Sequence, residues 1–120
     1  MANHIPKFYP GQAVTFTAEG AITGGQVVEC GTAARSVKVA GAASAKAIGT
    51  AAFDAIAGDR VTVHLGKLVD TAPAAAAISV GAKVEAAASG KIQTATTGLV
   101  LGVALTSASV ADDIVQFVRL

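Results

Sequence analysis

Along most of its length the chain alternates apolar and polar residues in short stretches, and each stretch ends at a turn that contains glycine. Alternation with a period of two places apolar side chains on one face of a β-strand and polar side chains on the other. Turn signals recur about every ten residues, a spacing typical of all-β sandwiches and barrels. The alternating stretches are residues 13–18, 61–65, 83–86, 91–94 and 114–119, and the more apolar runs are residues 26–30 and 99–105.

Two segments do not follow the alternation. Residues 72–77 are rich in alanine and have high helix propensity, but Gly81 soon follows, so we expect a loop or a single helical turn. Residues 40–47 have low complexity and one charge, which is typical of a flexible connection. The sequence therefore predicts an all-β fold, a compact β-sandwich or barrel-like domain of short antiparallel strands.

An internal repeat is the most informative pattern in the chain. Residues 21–29 align with residues 77–85 without a gap, and residues 48–51 align with residues 101–104. The sequence predicts one β domain at 12–120 that contains two repeated β units, at 21–65 and 77–118; similarity shared by unrelated β-strands is the alternative. If the repeat is real, we expect each unit to supply one sheet-like layer and the two layers to bury each other's apolar faces.

Residues 1–11 precede this domain and differ from it in composition. They contain two of the three prolines and two of the five aromatic residues. Proline keeps the residue before it out of the helical region, so we expect an extended N-terminal arm. An arm that carries Ile5, Phe8 and Tyr9 needs a surface for these side chains, on its own domain, on a neighbouring subunit or on a partner.

The apolar content of the chain is high but comes from small side chains. Hydrophobic residues make up 52% of the chain, whereas aromatic residues make up only 4%. Alanine buries little area, and burial stabilises by about 25 cal/mol per Å² of apolar surface. We therefore expect self-association to supply part of the stability.

Charge and the distribution of apolar residues exclude several classes of partner. Nine basic and eight acidic residues give a net charge of +1, which provides no electrostatic footprint for nucleic acid. No stretch approaches the roughly 18 consecutive apolar residues that a membrane helix needs. The first ten residues contain no apolar core of a secretory signal. We expect no nucleic-acid or membrane partner and synthesis in the cytoplasm.

Residues with catalytic potential are few. Cys30 with His4 or His64 would form a thiol–imidazole pair, but Cys30 ends an apolar stretch, where a lone cysteine is usually a small buried hydrophobe. His64 lies on the polar side of its strand. Asp59 and Asp113 precede strands, where aspartate accepts hydrogen bonds from its own turn. With no phosphate-binding loop and no metal-ligand spacing, we expect no catalytic residue, no metal, no cofactor and no enzymatic activity.

Several short motifs occur in a characteristic order. They are Phe8-Tyr9-Pro10-Gly11, Val14-Thr15, Ile22-Thr23-Gly24-Gly25, Ile48-Gly49-Thr50-Ala51, Phe53-Asp54, Ala57-Gly58-Asp59-Arg60-Val61, Leu65-Gly66-Lys67 and Leu101-Gly102-Val103-Ala104-Leu105-Thr106. In this order they resemble the capsid cement, or head decoration, proteins of tailed bacteriophages over nearly the whole chain. The motifs are glycine turns and small apolar residues, so the resemblance defines no individual functional residue.

The resemblance implies a structural virion protein on the outer surface of an icosahedral capsid. Such a protein self-associates as a homotrimer and bridges neighbouring major capsid protein subunits, which increases the stability of the assembled shell. We hypothesise that residues 2–11 reach across the capsid or to an adjacent protomer, with Phe8 and Tyr9 as anchors. The residues expected to contact the capsid or a neighbouring subunit are Ile5, Pro6, Lys7, Phe8 and Tyr9.

Other functions remain open from the sequence. A small oligomeric β-module that binds a host-surface carbohydrate or another ligand predicts exposed aromatic residues in a groove, yet the chain has no Trp and one Tyr. An oligomeric structural protein unrelated to phages has the same sequence properties as the favoured function. An enzyme would have to use Cys30 or His64.

Overall fold

The computed structural model describes residues 13–120. In that range the regular structure is β-strand, apart from one 3₁₀ turn at Ala88–Gly90. The strands are β1 (Ala13–Ala18), β2 (Val27–Cys30), β3 (Ser36–Val39), β4 (Ala47–Ala51), β5 (Arg60–His64), β6 (Val69–Pro73), β7 (Lys83–Ala86), β8 (Ile92–Thr94), β9 (Gly102–Ala104) and β10 (Ile114–Arg119). Among these residues there is no helix with the length and apolarity needed to cross a membrane.

Strands β1 to β5 form the first unit, a barrel closed in the order β1-β3-β2-β4-β5. Neighbouring strands are antiparallel except at the seam, where β1 and β3 pair in parallel and Thr17 lies opposite Ser36. The backbone amide of Thr17 donates to the carbonyl oxygen of Arg35 at 2.9 Å. Closure of the first unit therefore depends on the second half of β1.

Strands β6 to β10 form the second unit, in the order β6-β10-β9-β7-β8. Each antiparallel pair of the first unit has its counterpart here. The seam is shorter, because β6 and β8 are joined by an isolated parallel bridge between Ala74 and Ile92. Pro73 takes the place of Thr17 and has no N–H to donate across the seam. The predicted all-β fold is confirmed, and the first unit takes the barrel form.

Hydrogen bonds recur at equivalent places in the two units. In the first unit the amide of Gly25 donates to the carbonyl oxygen of Ala51 at 2.8 Å, and in the second the amide of Gly81 donates to that of Ala104 at 2.8 Å. Gly25 and Gly81 have φ angles of +89° and +85°, which glycine adopts without steric cost. The stretches aligned by the internal repeat thus occupy corresponding positions.

Each unit has its own hydrophobic core. The core of the first unit contains Ala18, Ile22, Val28, Val37, Ala51, Ala55, Val61 and Val63. The core of the second unit contains Ala72, Ala74, Ile78, Val84, Ala86, Ile92, Leu101, Ala104, Ala108, Val115 and Phe117. Val27, Ala40 and Ala47 of the first unit also pack into this second core. These three residues join the two units through apolar contact.

The expectation that two sheet-like layers bury each other's apolar faces does not hold, because each sheet curls around its own core. Glycine at equivalent positions of β4 and β9 permits the tight curl. A Cβ atom on Gly49 would collide with the carbonyl oxygen of His64, and one on Gly102 with that of Val118. Small residues at these strand crossings therefore allow a short sheet to curl around a core of small side chains.

One local expectation is wrong, and two others hold in whole or in part. Cys30 is exposed, because the register shifts between Val28 and Glu29 and this irregularity reverses the alternation at the end of β2. The segment at 40–47 connects β3 to β4 as expected, and it has buried residues at both ends. The start of the alanine-rich stretch, Ala72 and Pro73, completes β6 and pairs with β10, whereas the residues at 75–77 form the expected loop.

Candidate functional site

The five residues expected to contact a partner, Ile5, Pro6, Lys7, Phe8 and Tyr9, lie outside the described residues. The described chain begins at Ala13, which is the first residue of β1 and pairs with His64 of β5. This end of β5 leads directly into the short segment that connects the two units. The N-terminal segment therefore joins the described structure beside the junction between the units.

The structure does not bring Cys30 and His64 together. Cys30 donates its backbone amide to Lys46, just before β4, whereas His64 pairs with Thr50 near the other end of β4. Four residues of strand separate these points by about 13 Å. Both side chains are exposed, and no group of His, Cys, Asp or Glu within residues 13–120 has the arrangement of a metal site.

Glu85 is a fully buried carboxylate in β7 that sequence reasoning missed. It accepts hydrogen bonds from the amides of Thr96 and Gly98, each at 2.8 Å, and from the side-chain amide of Gln93 at 2.6 Å. These donors, with the Thr96 amide first, lower the pKa of Glu85 below its ordinary value in spite of burial. The carboxylate therefore fixes the loop between β8 and β9.

Glu29 is the counterpart of Glu85 in the first unit and accepts the amide of Gly41 at 3.0 Å. This hydrogen bond is the main reason that the pKa of Glu29 is lowered. The internal repeat aligns Glu29 with Glu85. A charged residue at the same position of two apolar strands was the one sequence feature that could have pointed to these carboxylates. Both hold the loop that precedes the fourth strand of their unit.

Glu19 fixes the turn between β2 and β3. One of its oxygens, Oε2, accepts the amides of Thr32 and Ala33, at 2.8 and 3.0 Å, and the hydroxyl of Ser36 at 2.7 Å. These donors, the Ala33 amide first, lower the pKa of Glu19 to about 2. The turn is therefore tied to the end of β1 by a single carboxylate.

A buried polar link connects the two units. The hydroxyl of Thr50 in β4 donates to Asp70 in β6 at 2.6 Å. Arg119 of β10 donates from Nη2 to the carbonyl oxygen of Ile48 at 2.8 Å, and its Nη1 lies 3.7 Å from Asp70 Oδ2. Both side chains of the ion pair are almost inaccessible to solvent, so the pair acts at low local dielectric.

The outer face of the second unit carries apolar side chains around one exposed polar pair, Thr71 and Gln116. Side chains of β6 and β10 that point away from the core include Val69, 58% exposed, and Ile114, 61% exposed. Val69 pairs with Val118, which pairs in turn with Val103 of β9. We call this surface the apolar face, and it consists of Val69, Val103, Leu105, Ile114, Val118 and Leu120.

The equivalent surface of the first unit, on β1 and β5, is polar. The two units share one strand order and one cross-strand register, so their outward residues correspond one to one. The corresponding pairs are Ala13 with His64, Thr15 with Thr62 and Thr17 with Arg60 in the first unit, and Val69 with Val118, Thr71 with Gln116 and Pro73 with Ile114 in the second. Thr17, His64 and Arg60 thus face outward where the second unit presents Pro73, Val118 and Ile114, whereas the central pair is polar in both units.

A groove of about 360 Å³ lies between the two units, next to the apolar face. One wall is the turn at 23–26 of the first unit, and the other includes Thr71, Pro73 and Ile114. Lys91 also contributes to the groove and forms an ion pair with Asp112 at 2.6 Å. Gly24 and Gly25 have no side chains, so the wall formed by the turn at 23–26 is low. The groove therefore offers apolar contact and shape.

Similarity to known proteins extends over nearly the whole chain. A family model described as phage cement protein matches residues 8–120. Among solved structures, the head fiber gp8.5 N base of bacteriophage phi29 is similar, with a TM-score of 0.71 over 91% of this chain and 93% of that chain. The sequences are 18% identical, so this likeness shows a shared fold. No curated protein matches the chain.

Proposed function

The chain belongs to the phage cement protein family, and from that membership we propose that it binds the outer surface of an assembled phage head and stabilises contacts between major capsid protein subunits. The family and the fold support a structural role associated with the phage capsid. The match over residues 8–120 is the observation that carries the proposal. The partner in this proposal is the major capsid protein, and the location is the virion.

The physical properties of the surface support a cement role. A protein that binds the assembled shell and not loose subunits stabilises the shell by mass action at each copy. Many modest contacts add up when the copies are linked. The large exposed side chains needed for such contacts are present, and they include Phe53, Ile56, Val80 and Val110 outside the apolar face.

The N-terminal segment is the proposed contact element. Phe8 and Tyr9 lie within the part of the chain that the family model matches, and aromatic residues are the commonest anchors of protein interfaces. In this proposal residues 2–11 reach the capsid or a neighbouring subunit, and Ile5, Pro6 and Lys7 take part in the contact. No nucleic acid or membrane is a partner in this proposal.

Self-association as a homotrimer is part of the proposal. Small side chains give modest core burial, and the apolar face leaves large aliphatic groups in water unless another chain covers them. An oligomer gains stability with protein concentration. Thermal melting over a hundredfold range of concentration tests this, because a melting temperature that does not change contradicts self-association.

Binding to purified heads tests the function directly. Heads that lack this protein are mixed with the purified chain, and occupancy is measured by sedimentation and gel densitometry; loss of head integrity on heating is followed in parallel. We expect saturable binding, higher thermal stability of the heads, and weak binding to unassembled major capsid protein. Deletion of residues 2–9 is expected to reduce occupancy at least about tenfold, equivalent to 1.4 kcal/mol.

A matched control separates the segment from general surface effects. Lys38 lies exposed on β3 and is paired across to Glu29 in the first unit, so Lys38→Ala changes a surface charge and leaves residues 2–11 intact. It is expected to bind heads like the unmodified chain. Absence of saturable binding to heads by the unmodified chain contradicts the proposed function, and unchanged occupancy after the deletion contradicts the role of residues 2–11.

A further inference from the structure

Each unit contains one strand that, for part of its length, has a strand neighbour on one side only. β1 pairs with β5 along most of its length but with β3 only over its last two residues. β6 pairs with β10 along its length, and the single bridge towards β8, between Ala74 and Ile92, comes just after its end. Within the described chain, residues 13–16 and 69–72 therefore each have an edge without a strand partner, and we call these the free edges.

The direction of the backbone groups shows which of them face the free edges. Along a strand, successive residues point their N–H and C=O groups to opposite sides. The amide of Thr17 donates to Arg35 across the seam, so the backbone groups of Thr15, two residues earlier, face the same side. The amide of Ala75 donates towards β8, so those of Thr71, four residues earlier, also face the free edge. Thr15 and Thr71 occupy equivalent positions in the register of the two units.

At both positions a charged side chain binds a backbone group on the free edge. Nη2 of Arg35 donates to the carbonyl oxygen of Thr15 at 2.7 Å. Oδ1 of Asp70 accepts the amide of Thr71 at 2.8 Å. Arg35 comes from the turn before β3, whereas Asp70 is the residue next to Thr71 in β6. The same point of each edge is thus occupied, by a cation on an acceptor in the first unit and by an anion on a donor in the second.

The backbone of Arg35 indicates that its side chain has a function at this place. Its φ angle is +55°, in the left-handed region that glycine adopts without cost and that other residues adopt rarely. Glycine would therefore fit the turn with less strain than arginine does. The guanidinium also lies over the ring of Phe16, 5.2 Å from its centroid, within the range of a cation–π contact. Two contacts thus hold the arginine side chain along the free edge of β1.

These contacts obstruct the addition of a strand from another chain. An exposed edge presents unpaired N–H and C=O groups, and proteins block such edges with charged side chains or proline. In the first unit an incoming strand has to displace the guanidinium of Arg35 from the carbonyl oxygen of Thr15. In the second unit Asp70 occupies the amide of Thr71, and Pro73 has no N–H. Both threonines are exposed to solvent, so an incoming strand can reach each edge at the blocked position.

We propose that Arg35 and Asp70 protect the free edges of β1 and β6 from pairing with a strand of a second copy of this chain. The proposal goes beyond the proposed function, because it concerns a contact that the fold prevents, and it does not depend on binding to capsids. Copies that are held close together meet at a high effective concentration. Blocked edges leave association of such copies to other surfaces of the protein.

Arg35→Gly tests the edge of the first unit in the absence of capsids. The substitution removes the side chain and relieves the positive φ angle, so the fold is expected to persist, and circular dichroism and thermal melting check it. The full chain is incubated at high concentration and followed by sedimentation velocity and thioflavin T fluorescence. We expect at least about tenfold more protein in large assemblies than for the unmodified chain.

Two control variants separate the edge from other effects of the substitution. Ala43 has a φ angle of +54° in the loop between β3 and β4, so Ala43→Gly relieves the same backbone strain away from the free edge. Arg60 is exposed on β5, so Arg60→Ala removes the same charge from the same barrel. Both are expected to remain as dispersed as the unmodified chain.

Hydrogen exchange locates the contact in any assemblies that form. The amide of Thr15 faces the free edge and is expected to exchange rapidly in the unmodified chain. In assemblies of Arg35→Gly it is expected to exchange at least about tenfold more slowly, because a strand added to this edge accepts its hydrogen bond. Assemblies in which this amide still exchanges rapidly arise from another contact and overturn the proposal for the first unit.

A pair of substitutions at Asp70 tests the edge of the second unit. Asp70→Asn and Asp70→Ala both remove the charge beside Arg119, but only asparagine keeps a side-chain oxygen that accepts the amide of Thr71. We expect Asp70→Ala to form assemblies in which this amide is protected from exchange, and Asp70→Asn to form at least about tenfold less of them. Equal assembly of the two variants, or assemblies without this protection, overturns the proposal for β6.

The remaining results that would overturn the proposal concern the first unit. They are an Arg35→Gly chain that stays as dispersed as the unmodified chain, and equal assembly of Ala43→Gly or Arg60→Ala. None of these measurements involves phage heads. Saturable binding of the unmodified chain to heads therefore tests the proposed function separately, and either proposal can fail while the other stands.

Discussion

Removal of the buried carboxylate of Glu85 is expected to destabilise the second unit more than any comparable change in the first. The side chain has no exposed surface, and it accepts the amides of Thr96 and Gly98. A hydrogen bond to a charged group contributes about 1.5–3 kcal/mol. Glu85→Ala deletes two such bonds to the backbone, and we expect a loss of about 3 kcal/mol in the free energy of unfolding.

Glu85→Gln separates charge from shape. The amide oxygen still accepts the two backbone amides, so the expected loss is about 1 kcal/mol at neutral pH. The pKa of Glu85 is lower in the folded state than in the unfolded chain, so its carboxylate stabilises above the unfolded pKa of about 4.5. That contribution is lost as the pH falls through the folded pKa, and the difference between Glu85→Gln and the unmodified chain is expected to shrink there.

Urea denaturation followed by circular dichroism, at pH 7 and at several values below 4.5, measures both effects. Glu29→Ala is the matched control, since Glu29 occupies the equivalent place but accepts one backbone amide, from Gly41; the expected loss is about 1.5 kcal/mol. A loss below about 1 kcal/mol for Glu85→Ala, or equal losses at the two positions, would refute the reasoning. So would a difference for Glu85→Gln that does not depend on pH.

Three further changes test other parts of the structure. Asp70→Ala leaves the guanidinium of Arg119 buried without its counter-ion, and urea denaturation is expected to show a loss of about 3 kcal/mol in the free energy of unfolding. A double-mutant cycle with Arg119→Met is expected to give a coupling energy above about 1 kcal/mol. Additive effects of the two substitutions would contradict the link between the units. Gly102→Ala places a Cβ against a backbone carbonyl and is expected to lower the melting temperature by about 10 °C, whereas Gly20→Ala, which has open space around it, is expected to have little effect. The pKa of Glu19 is lowered to about 2, so its carboxylate holds the turn above pH 4.5 and releases it as the pH falls towards 2. Hydrogen exchange at the turn amides, corrected for intrinsic rates, is expected to accelerate over that range. Unchanged protection of these amides would refute this.

Strand positions were largely predictable because the alternation of apolar and polar residues involves only neighbouring residues and is present in any strand that buries one face. The predicted stretch at 13–18 coincides with β1, and that at 114–119 coincides with β10. The third strand of the first unit and the sixth strand of the chain were missed. Ser36–Val39 is short and follows a polar turn, and Val69–Pro73 contains aspartate, threonine and proline, which weaken a strand signal that tertiary pairing restores.

The candidate site was less predictable, because it depends on which residues the fold makes equivalent. Ile114 and Val118 belong to an ordinary strand pattern in the sequence, and Val69 begins a strand that the pattern did not show. Their outward position is unusual only by comparison with Arg60 and His64, and that comparison needs the shared cross-strand register. As a statement about ancestry, the duplication stays a prediction; the structure shows that the two units have one topology.

Burial of charge was also beyond the sequence pattern. Glu29 and Glu85 follow the strand pattern as outward residues, since each sits next to an inward valine. In the structure the loops that follow β3 and β8 fold over them and supply backbone amides. The position of these loops depends on glycines and turns many residues away. The alternation of residues within a single strand therefore carries no information about it.

The isolated bridge between Ala74 and Ile92 has a mechanical consequence. A sheet resists separation in proportion to the hydrogen bonds that must break together, and the seam of the second unit has few of them because Pro73 donates none. When force is applied across both seams, β8 is therefore expected to separate from β6 before β3 separates from β1.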